Sequence, residues 1–194
     1  MPPKHPDETL PDETLRMLAD KQALGELVAA YSRAIDRRDF ALLRSLYHDD
    51  AIDDHGAMFC GPVDAYVAWV AETLTRFEAT AHYAVQSLFV VDGDCAEGET
   101  YKINYHRTPA PDAQEIVTGS RSLDRFERRG GVWRFTLRSV TLDWSETRPV
   151  DPAAYAQFAA RSVHGRPDAG DPSYARLRLF PRFPALNPRP PTGP

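Results

Sequence analysis

An α+β fold is predicted by the order in which the patterns of the chain change. Helical periodicity, with apolar residues at i, i+3 and i+4 spacing, fills the stretch up to about residue 77. From residue 80 the chain turns rich in β-formers, and Asp-Gly and Gly-Gly turn signals separate the runs. Helices first and strands afterwards point to an antiparallel sheet packed on helices, not to alternating βα units. A curved sheet of this kind encloses a pocket.

The bulk numbers bound the answer. The 194 residues suffice for one core, and nothing divides the chain into two. Hydrophobic residues at 42% and charged residues at 26% fit an ordinary globular protein. The net charge is −5 and the basic residues are scattered, which argues against a nucleic-acid partner. No apolar run approaches the ~20 residues of a membrane span. The opening "MPPKHPDETLPDETLRML" lacks the apolar stretch of a secretory signal. The expectation is a cytoplasmic protein with Cys60 and Cys95 as reduced thiols.

The elements follow in order. Residues 1–14 read as a loose, proline-bearing arm. A helix is expected from Asp20, its cap, with Leu24, Leu27, Val28, Tyr31 and Ile35 on one face. "FALLRSLY" (40–47) is a second helix capped by Asp39. "HDDAIDDHG" reads as a solvated turn around a short strand, and "CGPVDAYVAWVAETLTRF" as a third helix with Pro62 in its first turn. Its buried face is Val63, Tyr66, Val67, Val70, Leu74 and Phe77. Four strands follow: "TAHYAVQSLFVVDGD", "CAEGETYKINYHR", "EIVTGSRSLDRFERRGG" and "VWRFTLRSVTLDW". Asp124, Arg125, Glu127, Arg128 and Arg129 read as alternating surface charge on the last hairpin. Residues 146–194 hold a helix capped by Asp151, with Pro152 at N1, and a Pro-rich tail. Tyr174, Leu177, Leu179, Phe180 and Phe183 give that segment the apolar content to cap a pocket.

Over residues 15–145 the chain resembles the NTF2-like superfamily, in its SnoaL-like branch. The residues that carry the resemblance are "LVAAYSRAIDRRDFALLRSLYHDDAID", "GPVDAYVAWV", "TAHYAVQSLFVV" and "RSLDRFERRGGVWRFTLRSVTLDW". The implied fold is a cone, a curved antiparallel sheet packed on three helices around a pocket. Within the superfamily the chain resembles the group of scytalone dehydratase, hexachlorocyclohexane dehydrochlorinase and bile-acid 7α-dehydratase. Asp36 and His82 fall on the group's Asp at the end of the first helix and His on the first long strand. Tyr31 matches the tyrosine of the bile-acid dehydratase, and His106 the second histidine of scytalone dehydratase. His55 stands where the two dehydratases have a carbonyl-activating tyrosine, a departure from the pattern.

The resemblance implies a lyase that removes water from a hydroxylated cyclic ketone, steroid- or polyketide-like, without cofactor or metal. Such an elimination needs a base for the acidified C–H, an acid for the leaving hydroxyl, and donors for the enolate oxygen. Histidine serves the first two needs in turn, and an aspartate on its other nitrogen fixes the tautomer. The implied partner is a small hydrophobic, carbonyl-bearing ring compound, and the assembly a homo-oligomer, trimer or dimer. From the residues alone, other readings stand. Asp36 also fits a solvated helix end beside Arg37 and Arg38, about 100° past Ile35 around the helix. His82 also fits a half-buried histidine bonded to backbone. Tyr31 lies on the core stripe. His106 shares a strand face with Ala96, Gly98, Thr100, Lys102 and Asn104, and that face has no clean apolar character. An isomerase, a cyclase and a non-catalytic binding module use the same frame. "HDDAIDDH" has metal-ligand residue types in no ligand spacing.

Overall fold

The computed structural model describes residues 11–180. Helix α1 (Asp12–Asp36) starts at Asp12, not at Asp20. The helix formers of "TLRMLADKQAL" carry it back to Pro11, and Asp12 and Glu13 occupy the first turn, where the dipole favours negative charge. Residues 12–14 are therefore helical rather than part of an arm. Asp20 is buried instead of capping. Its Oδ1 accepts from Arg128 Nη1 at 2.6 Å and from Trp133 Nε1 at 2.9 Å, which ties α1 to the distant hairpin.

Helix α2 (Phe40–Ser45) has Asp39 as its cap, the side chain accepting from the Leu42 N–H at 3.0 Å. The segment read as a solvated turn is mostly strand β1 (Tyr47–Asp54), with Asp53 fully buried and His48 nearly so. Strand pairing brings these polar residues inside, and local polarity gave no sign of it. A 3₁₀ turn (Gly56–Met58) and β2 (Cys60–Pro62) lead into α3 (Val63–Leu74), which Pro62 precedes as N-cap. The long strands are β3 (Ala79–Asp92), β4 (Cys95–Arg107), β5 (Gln114–Arg129) and β6 (Val132–Pro149). Two short helices follow, α4 (Pro152–Ala159) and α5 (Pro172–Arg176). Asp151 caps α4 through a 3.0 Å bond from the Ala153 N–H. Residues 181–194, with Phe183, lie outside the described residues.

The strands form one unclosed sheet in the order β2-β1-β6-β5-β4-β3. All neighbours are antiparallel except β1 and β6, which run parallel. Gly93 (φ 58°) and Gly130 (φ 61°) take the left-handed backbone that the tight reversals demand. A bulge interrupts β3 between Ala84 and Gln86. The core lies between the helices and one end of the sheet. There Leu24, Leu27, Ile35, Tyr66, Phe126 and Phe135 are buried together.

Period-two alternation splits the charged run on β5. Arg125 stays exposed, but Asp124 turns inward and pairs with Arg138 through two 2.8 Å bonds, both side chains fully buried. Asp124 is thus not surface charge. Cys60 and Cys95 are free and exposed. Among the described residues no helix is long and apolar enough to cross a membrane.

Candidate active site

The carboxylate of Asp36 is aimed by the way α1 ends. The Arg38 N–H returns to the Ile35 carbonyl and the Asp39 N–H to that of Ala34, a Schellman closure with Arg38 at φ 54°. A left-handed arginine is strained, and its guanidinium offsets the strain with bonds to three elements. Nη1 donates to the Ile35 carbonyl and to Thr80 Oγ1, each at 2.9 Å, and Nη2 reaches the Leu74 and Phe77 carbonyls at 3.4 Å. Burial lowers the Arg38 pKa, and Asp36 opposes that shift.

Asp36 then holds His82 at two points. Its Oδ1 lies 2.7 Å from His82 Nδ1, and its Oδ2 accepts the His82 backbone N–H at 2.9 Å. Thr80 Oγ1 donates to Oδ1 at 3.0 Å. Both the Asp36 and His82 side chains are 13% exposed. With Nδ1–H given to the carboxylate, the lone pair sits on Nε2, to which no described residue bonds. The His106 ring stands perpendicular to that of His82, centroids 5.2 Å apart, and packs 4.8 Å from Phe77. Burial first, and then the neighbouring His82, push its pKa down to about 4, so the imidazole is neutral near pH 7.

Tyr31 and His55 belong to a second cluster. The Tyr31 hydroxyl makes a short bond with that of Tyr66. Tyr47 donates to Asp53 Oδ2 at 2.6 Å, and His55 Nε2 lies 2.9 Å from Asp53 Oδ1. The His55 ring stacks on Tyr66 at 5.5 Å. The Arg138 guanidinium lies 3.9 Å from the Tyr31 ring centre. Burial, followed by the charge of Asp53, raises the Tyr31 pKa. Among the described residues no bond or ring contact joins Tyr31 or His55 to His82. Tyr31 precedes Asp36 by about 140° around α1 and about 7.5 Å along it.

Register connects the two clusters along the concave face. His82 is opposite Asn104, which is opposite Thr118, and the next inward row holds Lys102 and Ser120. Asn104 Nδ2 donates to Ser120 Oγ at 2.8 Å. Deeper rows hold Thr100 with Ser122 and then Asp124 with Arg138. Polar residues thus share this lining with Ile116, Val140 and Leu142 on the same rows, where a hydrophobic pocket was expected. Lys102, Asn104, Arg138, Asp53 and Thr80 were not singled out from the sequence. Strand alternation had placed Lys102, Asn104 and His106 on one face without saying which face was inside. Among the described residues no group of three or more His, Cys, Asp or Glu could hold a metal ion. A separate open cleft of about 290 Å³ beside α2, lined by Arg44, His48, Asp49 and Arg134, is outside this face.

The curved, unclosed six-stranded sheet with its helices is the NTF2-like cone. A family profile for SnoaL-like domains matches residues 16–139, and the chain belongs to that family. A curated relative, the uncharacterised protein Rv2910c of Mycobacterium tuberculosis, is 28% identical over 128 residues, 64% of this chain and 86% of its own. The hexachlorocyclohexane dehydrochlorinase LinA-type3 from Novosphingobium barchaimii superposes with a TM-score of 0.61 at 19% identity, over 72% of this chain and 95% of its own. A candidate scytalone dehydratase from Novosphingobium aromaticivorans gives 0.63 at 18%, over 81% and 97%. At these identities the solved structures speak for the fold.

Proposed function

We propose that the protein is a cofactor-independent lyase that eliminates water from a hydroxylated cyclic ketone. The observation that carries this reading is the 2.7 Å contact of Asp36 Oδ1 with His82 Nδ1, which leaves Nε2 unbonded on the concave face. His82 Nε2 takes the proton next to the carbonyl and returns it to the departing hydroxyl. Asp36 stabilises the imidazolium between these steps. Neutral His106, beside His82, donates to or accepts from the substrate without adding charge. Tyr31 and His55 shape and polarise the floor from the second cluster. The dehydratase and dehydrochlorinase names among similar structures support this class. The polar rows from Asn104 to Arg138 favour an oxygen-rich ring, polyketide-like rather than a bare steroid.

The test is mass spectrometry on hydroxylated aromatic polyketide ketones and 3-oxo-steroids, with His82→Ala as blank. Loss of one water in wild type alone is the expected result. A product of unchanged mass but new retention moves the reading to isomerase or cyclase. We also propose that the chain self-associates through the convex sheet face, where Tyr83, Leu88, Val90, Tyr101 and Trp144 are exposed.

A further inference from the structure

Lys102 has no place in the chemistry described so far. It is 5% exposed on the concave face of β4, yet its ammonium forms no hydrogen bond or ion pair among the described residues. The Tyr31 ring lies 5.8 Å from Nζ to the centre, and Ala84 and Ser120 flank the residue on the neighbouring strands. The nearby carboxylates are committed elsewhere. Asp124 gives both oxygens to Arg138, while Asp53 takes the Tyr47 hydroxyl and faces His55. Placing an amine in a nearly buried position with no protein partner is costly, and an apolar side chain would fill the same space at no such cost. Lys102 is also near the dyad. It is the next inward residue from Asn104, which stands opposite His82, a step of about 7 Å along the strand.

Resting on the lyase reading above, we propose that Lys102 is a catalytic nucleophile that holds the substrate ketone as an imine while His82 works on the adjacent carbon. The Nζ lone pair adds to the carbonyl carbon, and the resulting carbinolamine takes a proton from solvent and loses its oxygen as water to give a protonated imine. His82 Nε2 removes the neighbouring proton, and the C–H electrons move to the imine nitrogen, forming an enamine. The enamine expels the β-hydroxyl, which leaves as water with the proton held on His82. Water then hydrolyses the conjugated iminium, which frees the enone, restores the amine and returns the borrowed proton to solvent. The net change is loss of one water, with no oxidant or reductant. Burial, followed by the charge of Arg138, brings the Lys102 pKa down to about 7, so much of the amine is free near neutral pH.

The probe is acetylacetone, a 1,3-diketone that condenses with a free amine to a stable vinylogous amide. The full chain is incubated at pH 7 and digested for peptide mass spectrometry. Lys4 and Lys21, the other lysines of the chain, serve as internal references. At pH 7 an amine of pKa near 7 is roughly a thousandfold richer in free base than an ordinary lysine. The expected result is one adduct, on Lys102, formed at least tenfold faster than any on Lys21. Lys102→Met and Lys102→Arg should both lose turnover of the ketone found in the elimination screen, while melting temperature reports that each variant folds. An adduct that forms on Lys21 as fast as on Lys102 overturns the proposal. So does Lys102→Arg with wild-type turnover, which would make the residue a cation that binds the carbonyl oxygen. His82→Ala should still form the adduct. An adduct on Lys102 in a chain that eliminates nothing upholds the reactive amine and defeats the lyase reading instead.

Discussion

Two nitrogens of one imidazole separate shape from charge at the residue scale. Asp36→Asn keeps the volume and can still hold the His82 ring, but it removes the charge that steadies the imidazolium. Turnover in that variant should fall by roughly two to four orders of magnitude, with the melting curve little changed. Steady-state kinetics beside calorimetry checks this, and near-wild-type kcat would take Asp36 out of the mechanism. Lys102 makes a second prediction, on stability. Its pKa drops from 10.5 to about 7 on folding, with Tyr31, Arg138, Asp124 and Asp53 around it. The unfolded chain binds the extra proton between these values, so stability rises with pH across that range. The contribution is fullest above 10.5 and is lost as pH falls to about 7. Melting temperature in wild type should therefore gain on Lys102→Met as pH goes from 7 to 10. His106 acts alike at lower pH: its share is present above 6.5 and lost as pH falls to about 4.

At the scale of elements, the C-terminal end of α1 joins backbone strain to the site. Arg38→Gly would relieve the left-handed strain, worth about 1 kcal/mol. It would also delete the guanidinium that ties Ile35, Leu74, Phe77 and Thr80 together. Several part-buried bonds outweigh one backbone term, so we expect net destabilisation of about 1–3 kcal/mol and a lower kcat, read by denaturant unfolding and kinetics. Elements are also where the sequence was most and least legible. Leu24, Leu27, Val28, Tyr31 and Ile35 were readable as a buried stripe because helix geometry repeats locally, and all are buried. The contact of Asp36 with His82 was legible only through family resemblance, since the two residues are 46 positions apart. Asp20, Asp53 and Asp124 were misread for one reason. Each is polar in a polar neighbourhood; the partners of Asp20 and Asp124 come from another element, while Asp53 is held by Tyr47 of its own strand and by His55 just beyond it. A sequence window cannot see the distant partners of Asp20 and Asp124, and for Asp53 it cannot show that strand pairing turns the whole group inward.

Over the whole molecule, two surfaces carry predictions. The segment after β6 folds back onto α1. Asp171 reaches Arg37 at 3.2 Å, and the Arg33 guanidinium lies 5.1 Å from the Tyr174 ring centre and 5.0 Å from that of Phe180. Burial raises the Asp171 pKa, but bonds from Ser173 and Arg166 and the charge of Arg37 outweigh it and bring it down to about 2. A depressed carboxylate contributes stability above its unfolded value of 3.8 and loses it as pH falls to about 2. Limited proteolysis between pH 5 and 2 should show residues 160–180 becoming cleavable before the domain, and Asp171→Asn should be cleavable there already at pH 7. The convex face sets the other test. Leu88 and Val90 are each 73% exposed. A Leu88→Glu, Val90→Glu double variant should sediment as a monomer if that face joins copies of the chain, while an unchanged wild-type-like oligomer would place the contact elsewhere.

The bond from the His82 backbone to Asp36 also bears on the edge of the sheet. β3 is the last strand of an open sheet, and an outer strand offers free amides on which another chain can build. Asp36 occupies one of those amides with a carboxylate oxygen, and the bulge between Ala84 and Gln86 breaks the row further on. The same aspartate that contacts the imidazole therefore closes one outer amide of β3 to a further chain. Asp36→Ala uncovers the amide, and its thioflavin-positive deposits on long incubation should exceed those of His82→Ala, which keeps the carboxylate in place.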